Sequence, residues 1–184
     1  GIASSLNASP VHMQQTLSAY LFGFAFMNLF HGALADSFGR RPVILWGLMA
    51  FTLASLGCAL AQNVTQLIVF RAMQGLSCGA GVVVSRAIVR DIFPPTQAQK
   101  VMSQITIFFG LAPAIAPIMG GWLFVSLGWH SIFWLLTAIG LALWAVNFKM
   151  LPESLHASQR QPFSIPHLMR GYWQLCTDPR FLLL

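Results

Sequence analysis

Charge is what this sequence has least of. Lys, Arg, Asp and Glu make up 8% of the 184 residues, against about 25% in ordinary soluble domains. A soluble fold could not cover its surface with so few. Four residues are acidic, Asp36, Asp91, Glu153 and Asp178, while hydrophobic residues are 57% of the chain. The three cysteines, Cys58, Cys78 and Cys176, show no CxxC or metal spacing. They fall in or beside different apolar runs, so they read as small apolar fillers and do not report the redox compartment. There is no Ser/His/Asp array, metal spacing or phosphate loop, and His12, His31, His130, His156 and His167 are dispersed. Nothing therefore supports an enzyme, a metal or a cofactor. The net charge of +6 does not point to nucleic acid, because the bases are not interleaved with aromatics on polar segments. No basic n-region or cleavage signal opens the chain.

What is present instead is a series of apolar runs, at about 14–34, 43–61, 67–89, 101–125 and 132–148. Each is roughly the length that crosses a ~30 Å hydrocarbon core. The expected fold class is all-α, a polytopic membrane helix bundle. Residues 1–153 would form the transmembrane domain, 154–180 a cytoplasmic linker with some amphipathic helix, and 181–184 the start of a further membrane helix. Ser9 suits an N-cap and Pro10 a first helical position. Asn63-Val64-Thr65 matches a glycosylation acceptor, but its place beside the apolar runs favours a helix cap. Pro94-Pro95 stops the third run.

Between the first two runs lies the charged stretch Gly32–Pro42, expected as a tight loop. Gly39 can take positive φ, Pro42 suits the first turn of the next helix, and Asp36, Arg40 and Arg41 sit together at the membrane surface. Such a cluster can pair internally and also reach lipid phosphates. With this stretch on the cytoplasmic side, Arg40, Arg41, Arg86, Arg90, Lys100, Lys149, Arg160, Arg170 and Arg180 obey one topology. The exception is Arg71, about four residues into its run. Arg at a helix centre costs about +2.5–3.5 kcal/mol on insertion scales, less near an end. Arg71 is thus either a snorkelling anchor or a functional group. Gln74, Gly75, Cys78, Val82 and Ser85 follow it at i+3, i+4, i+7, i+11 and i+14, one face of small and polar groups that could line a wet cavity. Tyr20, Phe24, Met27 and His31 form a Met and aromatic stripe at helical spacing, which reads as packing or as the opposite wall of a substrate cavity. No acid lies on an apolar run near Arg71, so any titrating partner must come from outside residues 1–184, or water alone serves.

The order Gly-x-Leu-Ala-Asp-x-x-Gly-Arg-Arg at Gly32–Arg41 resembles the signature loop between helices 2 and 3 of the major facilitator superfamily. Arg71-x-x-Gln74-Gly75 resembles the helix 4 motif of its proton-coupled members. Ala116-Pro117-Ile118-Met119-Gly120-Gly121 resembles the antiporter motif of helix 5, with Ala116 where that motif has Gly. Physically, Pro117 frees a backbone carbonyl and Gly120-Gly121 permits close helix approach, which suits a hinge or seal. Gly32 and Gly39 are seven apart, as are Gly121 and Gly128 three helices later, the spacing an inverted three-helix repeat would give. Ala35-Asp36-Ser37-Phe38-Gly39-Arg40, Arg90-Asp91-Ile92-Phe93-Pro94 and Trp129-His130-Ser131-Ile132-Phe133-Trp134 look like the Bcr/CflA drug-resistance branch. The resemblance implies the amino-terminal half of a twelve-helix protein without helix 1 (helices 2–6 plus the start of helix 7). It further implies a bacterial inner-membrane drug/proton antiporter whose partners are small drugs, protons and the lipid bilayer. It assigns proton coupling to Arg71 and Gln74, and a conformational gate to Gly32, Asp36, Gly39, Arg40, Arg41, Arg90 and Asp91. A nutrient or uncoupled transporter of the same fold, or an inactive truncated membrane protein, remain alternatives.

Overall fold

The computed structural model of the chain describes residues 5, 6 and 8–177. The expected further span at 181–184, together with Asp178 and Arg180, lies outside the described residues. The elements are α1 (Pro10–Phe38), α2 (Arg40–Ala59), α3 (Val64–Ile92), α4 (Pro95–Leu127), α5 (His130–Met150), a 3-10 turn (Ala157–Gln159) and α6 (Ile165–Thr177). There is no strand among the described residues, and α1 to α5 are each long and apolar enough to cross a membrane. Helices α1 and α3 begin where a local side-chain cap starts them. Ser9 Oγ accepts from the His12 amide at 3.3 Å ahead of Pro10. Asn63 Oδ1 accepts from Gln66 N at 2.9 Å, so Asn63 is a helix cap as its position suggested.

The helices outrun the apolar stretches that announced them, and the expected loop at Gly32–Pro42 is corrected. Helix α1 continues through Asp36 to Phe38, and α2 starts at Arg40. A single residue, Gly39 at φ +103°, breaks the chain direction. Backbone hydrogen bonding does not require apolar side chains, so a helix runs on through the interfacial layer until a residue leaves helical φ and ψ. Only glycine takes that conformation without strain. Gly128, at φ +80°, ends α4 in the same way. The two glycines seven residues from Gly32 and Gly121 are thus the two helix breaks of positive φ among the described residues.

Helix α3 is the centre of the bundle. It packs on α1 along one flank and on α2 along the other, α2 packs in turn on α5, and α4 meets only the margins of α3 and α5. Small residues permit the close crossings. A Cβ at Gly75 would overlap the Tyr20 carbonyl, and one at Gly23 would lie 2.7 Å from the Ala72 carbonyl. Gly75 and Gly79 are four apart, the spacing that lets membrane helices approach by backbone contact where no hydrophobic force drives them together. Two apolar clusters close the ends. Ala35, Ile44, Val84 and Ile88 pack beneath Gly39, and Cys58, Ala59, Leu67, Trp129 and Phe133 pack at the opposite end. Most large apolar side chains of α4, among them Phe108, Ile118 and Trp122, stay exposed. In a bilayer such side chains meet hydrocarbon at no cost.

Candidate functional site

Two polar constellations interrupt the apolar bundle. The first is at the end of α1. Arg40 is nearly buried, its side chain 10% exposed, because the turn at Gly39 aims it between α1 and α3. Its Nη1 pairs with Asp36 Oδ1 one helical turn back, and its Nε donates to Asp91 Oδ2 at 3.1 Å on the last turn of α3. One cation therefore joins two helix ends through two carboxylates, in charge-assisted bonds of the strong kind. Asp36, Arg40, Asp91, Gly32 and Arg90 border one recess of about 380 Å³. Arg90 makes no ion pair among the described residues; its Nε donates to the Arg86 carbonyl of its own helix at 3.4 Å. Gly32 lies 3.8 Å from Val83 at its Cβ position, so no steric need for glycine arises at that point.

Arg41 does not join this cluster. It points away from Asp36 and Asp91, and its Nη2 donates to the Phe148 carbonyl at 2.8 Å, near the end of α5. Successive residues of a helix are about 100° apart around its axis. Arg40 and Arg41, the first two residues of α2, consequently face different neighbours.

Glu153 belongs to the cluster although its sequence context suggested only the end of the fifth helix. Its Oε1 accepts from the Arg40 amide at 2.9 Å and from the Leu155 amide at 3.0 Å; its Oε2 accepts from the Arg41 amide at 3.3 Å. The start of α2 has no side-chain cap of its own, and a carboxylate from 113 residues away fills that place. A Cβ at Gly39 would stand 2.5 Å from Glu153 Oε2 and would push that carboxylate aside, while the φ of +103° is what calls for glycine. The segment after α5 lies across the whole cluster. Arg160 pairs with Glu153 at 3.9 Å, Ser154 Oγ donates to Asp91 Oδ2 at 3.1 Å, and the Gln161 amide donates to the Asp36 carbonyl at 3.1 Å.

The second constellation is inside the span. The Arg71 guanidinium lies over the Tyr20 ring at 4.3 Å from its centroid, a cation–π contact between α3 and α1. Its Nη1 donates to Gln74 Oε1 at 2.6 Å; Gln74 Nε2 donates to Ser55 Oγ at 2.7 Å; Ser55 Oγ donates to the Phe51 carbonyl at 2.7 Å. The chain of bonds thus runs from α3 into α2 and ends on its backbone. Tyr20 donates its hydroxyl to Cys78 Sγ at 3.5 Å, and Phe24 stacks on Tyr20. No carboxylate lies within 4.0 Å of the Arg71 guanidinium among the described residues.

The expected cavity-lining face of α3 requires correction. Gln74 is 1% exposed and Gly75 is pressed on α1, so these two are packing residues between helices and do not border open space. Small and polar groups on α3 serve its two close crossings, and the polar ones are satisfied by neighbours instead of water. Arg71, Cys78, Val82 and Ser85 stay half-buried on the rest of the face. Met27 lines a groove of about 560 Å³ between α1 and α2, with His31, Trp46 and Ser77, which Tyr20 and Phe24 do not border. On α4, no other segment lies within 4 Å of the Cβ positions of Gly120 and Gly121. The close approach that Pro117 and these glycines suggested, beside Ala116, is not made among the described residues.

Sequence reasoning passed over Ser55, Ser154 and Glu153. Ser55 had no signal, being one hydroxyl in an apolar run. Glu153 had a weak one, since acids are so few here that each deserves a partner. No group of three or more His, Cys, Asp or Glu side chains able to hold a metal occurs among the described residues.

A multi-pass helix bundle with its charges gathered at one end and a cation held by neutral groups in its interior has the build of a polytopic membrane protein. The family model for the Major Facilitator Superfamily matches residues 1–184, and the chain belongs to that superfamily, whose members are transporters and not enzymes. It is 39% identical over 171 residues to a bicyclomycin resistance protein homolog of Haemophilus influenzae, covering 93% of this chain and 43% of the relative. It is 36% identical over 157 residues to the multidrug resistance protein MdtL of Escherichia coli, covering 85% and 40%. The structure of the human organic anion transporter MFSD10 matches with a TM-score of 0.68 at 26% identity, over 90% of this chain and 40% of that one. A peptide transporter POT in complex with sulfate shares the fold, with a TM-score of 0.70 at 18% identity over 96% and 37%. The chain spans less than half the length of the curated relatives it matches.

Proposed function

We propose that this chain is part of a secondary active exporter that exchanges protons for small drug molecules across a bacterial inner membrane by alternating access. The observation that carries the reading is Arg71. A guanidinium inside a membrane span is retained against its insertion cost where the charge is used, and here its partners, Tyr20 and Gln74, are neutral. The charge is left to act on a titrating group or a substrate supplied by the rest of a longer protein. The drug-resistance names of the relatives support the substrate class. In this reading Asp36, Arg40 and Asp91 latch one conformation, and Gly39 and Glu153 set the start of α2 that carries the latch. Residues 154–180 form a cytoplasmic linker, and Pro117 with Gly120 and Gly121 acts as a hinge or seal.

The test is efflux from vesicles holding the full-length protein, with an imposed pH gradient and a reporter of proton movement. Drug leaves against its gradient and protons enter in step; drug movement indifferent to the pH gradient overturns the antiport reading. Orientation is tested separately. A reporter active only in the cytoplasm is active when fused after Arg41 or Arg160 and silent after Asn63, and the reverse pattern overturns the assignment of sides.

A second reading is favoured by the lack of a carboxylate within 4.0 Å of Arg71 among the described residues, namely export of organic anions with Arg71 as their counter-ion. Competition separates the two: anionic compounds, and not cationic ones, then inhibit efflux, and Arg71→Ala raises KM more than it lowers kcat.

A further inference from the structure

Arg41 is the member of the charged stretch that the latch does not use. Its guanidinium has no carboxylate within 4.0 Å among the described residues. One nitrogen is engaged, on the Phe148 carbonyl, the Phe148 ring lies 5.7 Å away, and Nε is buried without a hydrogen-bond partner. A charge held in this way is fixed in direction but not neutralised. Directly below it, away from the polar end, a groove of about 300 Å³ runs between α2 and α5. Leu45, Trp46, Met49 and Trp144 line it with Arg41 at its head, and none of the lining side chains is acidic. Trp46 is 76% exposed, and Trp144 stacks on Phe148. Lys149, the next residue of α5, is exposed and adds a second positive charge at the same end.

We propose that this groove is a binding site for an anionic phospholipid of the adjoining leaflet, with the lipid phosphate on the Arg41 guanidinium and one acyl chain between Trp46 and Trp144. Charge and shape select the same occupant. A guanidinium matches a phosphate diester through paired N–H groups, basic pockets between membrane helices hold lipid headgroups, and tryptophan prefers the headgroup depth near which Arg41 begins α2. A free phosphate ion would use the cation and none of the groove. A neutral lipid would use the groove and leave the net charge of Arg41 and Lys149 unmatched. The site depends on the membrane-spanning architecture and stands independently of antiport.

Native mass spectrometry of the full-length protein in detergent tests it, with phosphatidylglycerol and phosphatidylcholine of identical acyl chains at equal concentration, and inorganic phosphate in a separate arm. Wild type retains phosphatidylglycerol at least fivefold in preference, and inorganic phosphate alone leaves no adduct. Arg41→Gln brings the preference close to unity, Arg41→Lys keeps part of it, and Trp46→Ala lowers retention of both lipids together. The wild-type measurement needs no variant to fold, and equal retention of the two lipids there overturns the site. So does a preference that survives Arg41→Gln, or a phosphate adduct in the absence of lipid.

Discussion

Arg71→Ala in the full-length protein cuts export driven by a pH gradient by about tenfold to a hundredfold, and Arg71→Lys does not fully restore it. Arginine stays charged at any accessible pH, so it is not the group that titrates. In the proposed mechanism its work is to hold a bonded network and to present a positive charge to whatever does. The alanine variant loses the cation–π contact with Tyr20 and the 2.6 Å bond to Gln74, leaving buried Gln74 tied to Ser55 alone. A hydrogen bond to a charged group contributes about 1.5–3 kcal/mol, and each ~1.4 kcal/mol is about tenfold in rate. Initial efflux rates therefore fall by about tenfold to a hundredfold if that interaction is used in the rate-limiting state. Lysine returns the charge but not the planar fork that lies on Tyr20 while reaching Gln74. Efflux in vesicles, normalised to protein inserted, reads the effect. Gradient-driven efflux at wild-type rate in the alanine variant would return Arg71 to a membrane anchor.

Asp36→Asn impairs transport several-fold while leaving membrane insertion within about twofold of wild type, the smaller effect reflecting the weak worth of exposed charges at a helix end. The two effects separate because Asp36 is half-exposed, its side chain at 47%, and so contributes little to the buried core. It does fix the direction of Arg40, which Asp91 holds from the other side at 3.1 Å. Asp91→Asn behaves alike, and the double variant loses less than the product of the single losses, since both carboxylates act through one guanidinium. Glu153→Gln is milder than Glu153→Ala, because the amide oxygen can still accept from the Arg40 amide, while the acceptor for the Arg41 amide is lost, whereas alanine leaves the start of α2 uncapped. Normal drug export by Asp36→Asn, together with additive losses in the double variant, would reduce the cluster to a basic anchor.

Much of the architecture could be read from the sequence because it is decided locally. A span is legible when enough apolar residues stand together to cross a bilayer, whatever they later pack against. A cap such as Ser9 or Asn63 is legible because its bonds close within three residues, and Gly39 and Gly128 are legible because one backbone angle suffices to end a helix. The pairing of Asp36 with Arg40 is likewise local, four residues apart across the bend at Gly39. The charged stretch Gly32–Pro42 suggests a longer bend than the single residue Gly39 that makes it, because polar side chains do not by themselves end a helix.

What tertiary structure alone decided is which neighbour each side of a helix meets. Arg40 and Arg41 are the same residue type in adjacent positions, yet one is buried between carboxylates on α1 and α3 and the other is turned toward α5. Gln74 and Gly75 have the composition of a cavity wall and are packing residues instead, because α1 and α2 close on both flanks of α3. Glu153 reaches the start of α2 from 113 residues away. Ala116, Pro117, Gly120 and Gly121 keep the residues of a close crossing without a described segment to cross. The rotation of a helix about its axis costs almost nothing in local hydrogen bonding, so it is set by contacts between segments distant in sequence. A single chain's order of residues does not state those contacts.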